Sequence, residues 1–248
     1  MKVKIGGIVE NSLVDVIGEP AFLISFSFCN FRCPWCFAYP LVKGEGKFFE
    51  VKELVKKIEE NAFAISYVQA SGGEPTLQID ALEELFSEVK KLNLKTSLDT
   101  NSSNPEAVRR LVMKNLIDHY ATDVKTELKE EKYWKVIGVK IEGITEKIKE
   151  SLRIARNVEK IEIRTTFVPS LVSVNDVIEA WKEAKEIVKD ANFVLQQFYP
   201  METLVDKKFY KEKIVLHEEL VKIAKKIKDE VKLENVFVRS KAGIERVQ

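Results

Sequence analysis

At 248 residues and 45% hydrophobic content, the chain can bury one α/β domain of barrel size, with room for a small extension. A formal net charge of +1 gives no electrostatic argument for nucleic acid or a membrane surface. Met1 to Gly7 lack the apolar core of a signal peptide, and no apolar run approaches the ~18 residues of a membrane span. A cytoplasmic location is therefore expected, where thiols stay reduced and cysteines serve metals or catalysis.

In chain order, Val3 to Val9 and Leu13 to Ile17 read as a short N-terminal hairpin or extension. Ala21 to Phe28 reads as the first strand of the main domain. After a glycine-bearing connection at Lys43 to Lys47, Val51, Leu54, Val55 and Ile58 recur at helical spacing, the stripe of a helix lying on a sheet. The alternation then repeats. Strands are expected at Ile65–Ala70, Lys95–Asp99, Ile117–Val124, Ile161–Phe167 and Phe193–Phe198, with apolar helical stripes between them. Pro105 opens one helix, and Asn175 or Asp176 is placed to cap another. The segment around Tyr133 and Trp134 is less regular. Leu216 to Ile227 marks a last helix and Val236 to Val238 a final short strand.

Six strands alternating with helices imply βαβ units on a parallel sheet, too few for an eight-fold barrel. No low-complexity linker or short repeat interrupts them. Residues 1–248 are thus expected to form one domain, with its core over about 20–206 and a C-terminal helix and strand in 207–248.

The three cysteines of the chain all fall in one loop, Cys29-Asn30-Phe31-Arg32-Cys33-Pro34-Trp35-Cys36. A structural zinc site needs four ligands, and His119 and His217 lie far away in sequence. A redox pair of Cys33 and Cys36 leaves Cys29 unused, and simple burial does not explain three thiols in one polar-flanked loop. An iron–sulfur cluster uses all three, with one iron left open to a substrate or cofactor.

C-x3-C-x2-C with Trp35 before its last cysteine resembles the signature of the radical S-adenosylmethionine (SAM) enzymes. The resemblance implies a partial (β/α)6 TIM-like barrel with a short N-terminal extension. It implies a [4Fe-4S] cluster on Cys29, Cys33 and Cys36, whose open iron is chelated by the amino and carboxylate groups of SAM. Reductive cleavage then gives a 5'-deoxyadenosyl radical, and Trp35 lies against the adenine. Gly72-Gly73-Glu74-Pro75, after the second strand, matches the GGEP motif that meets the SAM amino group. Alone it could be an ordinary turn; the paired glycines permit close backbone approach, and Glu74 could accept from an ammonium.

Asp99-Thr100-Asn101 and Asp123-Val124-Lys125 end the next two strands and resemble stretches of glycyl-radical-enzyme activases. There the lysine meets the SAM carboxylate and the acids organise the pocket, around a monovalent cation in one version. From the residues alone, Asp123 and Lys125 share a strand face and could equally be a plain ion pair. Glu162, Arg164 and Thr166 share a face, and Gln196 and Gln197 end the sixth strand. If that polar face lines the barrel, Arg164 and a glutamine such as Gln196 reach the SAM ribose or the substrate.

The run from Asn30 to Asp206 resembles the anaerobic ribonucleotide reductase activating branch. This implies an oxidoreductase that installs a glycyl radical on a partner enzyme, with a ferredoxin or flavodoxin as electron donor and no acid–base residue. Phe37-Ala38 stands where the activases carry His-Asn, and Ser102 where they carry Gly. Both departures bear on the substrate, not on SAM chemistry. Two alternatives remain: a radical SAM enzyme acting on a small molecule or modified nucleoside, as in deazapurine synthesis, and a non-catalytic metal-binding module.

Overall fold

The computed structural model describes residues 1–248. The chain begins with β1 (Lys2–Val16) and β2 (Glu19–Phe26), then a short helix α1 (Tyr39–Val42) and strand β3 (Lys47–Glu50). The alternating part follows: α2 (Val51–Asn61), β4 (Tyr67–Gly72), α3 (Ile79–Lys91), β5 (Lys95–Thr100), α4 (Pro105–Met113) and β6 (His119–Asp123). Two helices, α5 (Glu130–Ile137) and α6 (Ile144–Ala155), lead to β7 (Lys160–Phe167), α7 (Val174–Ile187) and β8 (Asn192–Gln197). The chain closes with α8 (His217–Val231), β9 (Val236–Ser240) and β10 (Gly243–Arg246).

All ten strands join one sheet in the order β10-β9-β8-β7-β6-β5-β4-β2-β1-β3. From β2 to β9 every pairing is parallel, and both flanks are antiparallel. This is the partial (β/α)6 barrel, with β9 as a seventh parallel strand beside β8. One continuous core contains Val3 and Ile5 of β1 as well as Val236 and Val238 of β9. Both flanks are therefore packed into the barrel's own core.

The helices form for local reasons. In α2 the predicted stripe is buried at Val51, Leu54 and Ile58, and a capping box between Glu50 and Glu53 starts the helix. Asn104 caps α4 ahead of Pro105. For α7 the cap is Ser173, two residues before the expected Asn175; Asp176 is its partner in the capping box.

Three expectations change. The N-terminal hairpin of Val3–Val9 with Leu13–Ile17 is instead one 15-residue strand, β1, with register shifts in its pairing to β2. Its turn lies at Gly18, whose φ of +78° suits glycine. The irregular stretch at Tyr133 and Trp134 is helix α5, closed by Gly138 in the left-handed conformation. Finally, an unexpected short strand, β3, follows the glycine-bearing connection and shares only Lys47 with it.

Candidate active site

Parallel strands deliver their side chains to a common end, so the loops after β2, β4, β5 and β6 meet. The loops after β2 and β4 are bonded backbone to backbone. Gly73 N–H donates to Phe26 O at 2.8 Å, and Glu74 N–H to Phe28 O at 2.7 Å. A Cβ on Gly73 would lie 2.0 Å from Phe28 O, and one on Gly72 2.7 Å from Phe26 N. The paired glycines are thus required first by this strand-to-strand approach. Phe28 itself turns the chain with φ +73°.

The cysteine loop is held from several sides. Arg32 N–H donates to Ile137 O at the end of α5, while the loop after β8 donates Val205 N–H to Cys36 O and Asp206 N–H to Pro34 O. Asn30 bonds Asn101 and Ser103 beyond β5. The surroundings of the three thiols disfavour the thiolate form. Burial, followed by the Glu74 carboxylate, raises Cys29 to about 11. Burial raises Cys33 to about 12 and also lifts Cys36.

One cavity of about 310 Å³ is lined by Cys29, Cys33 and Cys36. Trp35, Gly72, Gly73, Asp99 and Asn101 also line it, as do Asp123, Lys125, Arg164 and Gln196. Of the residues expected to meet the cluster or SAM, Glu74 and Pro75 do not line it. Glu74 is fully buried, and its carboxylate accepts from Thr76 N–H and hydroxyl, Thr100 hydroxyl and Asn101 N–H. Within the chain it ties the β4 and β5 loops together.

The charged residues form a single lateral network, because strand register places them side by side. Asp123 pairs with Arg164 across β6 and β7, and Gln196 with Arg239 across β8 and β9. Lys125 Nζ donates to Asp123 at 3.1 Å, and Arg164 bonds both Asp123 and Asp99. Ser71 hydroxyl donates to Asp99 at 2.7 Å. Burial opposes the charge on Asp123, but Lys125 and Arg164 outweigh it and hold the carboxyl below its ordinary value. Burial likewise opposes the Lys125 charge, and Asp123 outweighs it to hold the ammonium above the lysine range. Lys125 Nζ also lies 5.1 Å from the centroid of the Trp35 ring.

Sequence reasoning missed Arg239, which reaches the same cavity from β9. The alternation that buries Val236 and Val238 on one face puts Arg239 on the other, so its strand face was legible in the sequence while its place at the cavity was not.

A family model described as the radical SAM superfamily matches residues 23–176. The chain belongs to the radical SAM superfamily. It is therefore an enzyme of radical SAM type, from a family whose members use a [4Fe-4S] cluster and SAM. It is 32% identical over 247 residues, 98% of each chain, to a Methanocaldococcus jannaschii protein provisionally named a glycyl-radical enzyme activating enzyme. It is 29% identical over 145 residues, 49% of this chain and 54% of the relative, to the 7-carboxy-7-deazaguanine synthase of Thermococcus kodakarensis.

Among solved structures, Streptococcus suis SuiB bound to S-adenosylmethionine superposes with a TM-score of 0.65 at 18% identity, over 88% of this chain and 51% of that one. A TYW1 structure with a lysine-pyruvate adduct gives 0.64 at 17% identity, over 92% and 79%. These two likenesses establish the fold.

The donor set fits the family's cluster. No three His, Cys, Asp or Glu side chains converge as one metal ion requires. A cluster instead takes each thiolate on a different iron, so three cysteines lining one cavity suffice. Trp35, which lines the same cavity, is 8% exposed, and its Nε1 is buried without a partner.

Proposed function

We propose that Cys29, Cys33 and Cys36 hold the [4Fe-4S] cluster and that the enzyme directs SAM-derived radical chemistry at a glycine of a partner enzyme. The observation that carries this reading is the single cavity shared by the three thiols and the strand-end network. When bound, the cluster supplies the electron that cleaves SAM to methionine and a 5'-deoxyadenosyl radical.

The chain's own groups bind and orient. Lys125 spends one of its three donors on Asp123 and has others for the SAM carboxylate. Gly72 and Gly73 present backbone to the amino group. Trp35 offers a ring face to the adenine. Arg164, already fixed by Asp99 and Asp123, needs no rearrangement to meet the ribose. No proton donor or acceptor is needed for hydrogen abstraction; placement and exclusion of water do the work.

The glycyl target is supported by the end-to-end match to the Methanocaldococcus jannaschii protein. It is also supported by the apolar residues beside the cavity, Phe37 at 56% exposure and Met201 at 47%, which suit an inserted protein segment. A low-potential carrier such as ferredoxin or flavodoxin would supply the electron, in the cytoplasm. No helix is long and apolar enough to cross a membrane. A small-molecule substrate is the second reading, favoured by the partial match to deazaguanine synthases and by two cations beside the cavity.

The test is anaerobic reconstitution with reductant, SAM and deuterium-labelled cell extract split by size. Deuterium in 5'-deoxyadenosine from the macromolecular fraction, with a radical EPR signal on a partner protein, is the expected result. Label from small molecules alone would establish the second reading. Cys36→Ala is expected to abolish both cluster and deoxyadenosine; retention of both would refute the cysteine assignment.

A further inference from the structure

Past Gln196 and Arg239 the cavity adjoins a second lobe of about 280 Å³, which shares Trp35, Phe37 and Thr166 with the cysteine-lined lobe. Its lining contains two cations, Arg239 and Lys241, and no carboxylate. Arg239 is held in place from below: one Nη donates to Glu162 Oε1 and the other to Gln196 Oε1, both at 2.9 Å. Its Nε is buried and has no partner. Lys241 Nζ stands 3.3 Å from the centroid of the Tyr199 ring.

We infer that this lobe is a subsite for a substrate carboxylate, received by Arg239 and Lys241 against an aromatic wall. Glu162 offsets the charge of Arg239, so the lobe keeps an excess of about one positive charge, matched by a monoanion and exceeded by a phosphate dianion. Phe37, Phe198 and Tyr199 supply apolar surface for the body that carries the carboxylate. Because Thr166 and Gln196 belong to both lobes, a molecule anchored here lies beside the space assigned to SAM. That this molecule is the one attacked rests on the proposed function; the anion site does not. The carboxylate could be borne by a small planar molecule or by an acidic side chain next to the target glycine.

Calorimetric titration of the reconstituted enzyme under argon tests this. The probes are benzoate, its neutral isostere benzamide, phenyl phosphate, and the capped dipeptides Gly-Glu and Gly-Gln. Benzoate or the Gly-Glu peptide is expected to bind about tenfold tighter than its neutral counterpart, as charge-assisted bonds allow, and to weaken as salt rises. A preference confined to benzoate assigns the carboxylate to a small molecule, and one extending to Gly-Glu assigns it to a protein segment. Lys241→Gln is expected to erase the preference while leaving benzamide affinity and the thermal midpoint unchanged, and Lys241→Arg to keep it. Equal binding of charged and neutral probes, tighter binding of phenyl phosphate, or an unaltered preference in Lys241→Gln would overturn the subsite. SAM cleavage assayed in the same preparation separates that failure from failure of the radical reading.

Discussion

Glu74 stands in the motif position associated with SAM, yet its carboxylate is occupied by four donors from Thr76, Thr100 and Asn101. Burial pushes its carboxyl above the ordinary range, and these bonds only partly pull it back. Glu74→Gln would turn an NH2 toward groups that are themselves donors. A loss of about 1–3 kcal/mol is expected, the range for a buried donor left unmatched. Urea unfolding measures it, and a loss of SAM affinity with unchanged stability would instead make Glu74 a direct ligand contact. The identity of this residue was legible in the sequence. Its partners were not, because they lie on the neighbouring strand's loop.

The cysteine loop is an element with no helix or strand of its own, so its shape is imposed by what surrounds it. The end of α5 and the loop after β8 each bond its backbone. Gly138 matters most at this contact: its φ is +69°, and an added Cβ would meet Arg32 O at 2.1 Å. Gly138→Ala is expected to cost about 1–2 kcal/mol from the left-handed backbone and more from the clash. Because Arg32 adjoins Cys33, iron retained per chain after reconstitution should fall with the melting temperature. Full iron content in a destabilised variant would show that α5 supports the fold without shaping the loop. Helix α5 reads as irregular in the sequence because its apolar stripe, Tyr133, Val136 and Ile137, spans little more than one turn. Its signals were the acidic Glu130 and Glu131 at its start and the terminal Gly138.

At the scale of the whole sheet, β4 to β7 carry a row of buried polar side chains, Gln69, Ser97, His119 and Glu162, with Gln69 paired to Ser97 and Ser97 to His119. His119 is buried, bonds Ser97 at 2.8 Å and lies 4.0 Å from Glu162. Burial, followed by the cations of Arg164 and Lys160, pushes its imidazole down to about 3. The unfolded chain therefore binds a proton below 6.5 that the folded chain refuses. The corresponding stability is complete above pH 6.5 and is lost as pH falls toward 3, at about 1.4 kcal/mol per pH unit. Urea unfolding at a series of pH values from about 7 to 4 should show this slope, and His119→Gln should flatten it. An unchanged slope would place the acid sensitivity in other groups.

The sequence by itself determined the alternation of six strands and helices, the three-thiol loop, the strand ends that carry Asp99, Asp123 and Lys125, and the strand face that carries Arg164. Each of these is written locally, in the period of apolar residues or in the spacing of a motif. Only the tertiary structure decided that Glu74 faces protein and that β1 runs unbroken along β2. The same holds for Arg239, brought by a seventh strand to the cavity, and for the lobe it forms with Lys241. Those outcomes depend on strand register and on loops meeting across long sequence separations, such as Gln196 beside Arg239. A lateral contact of that kind leaves no periodic trace in one chain, because its two halves are set by separate segments and joined only when the sheet forms.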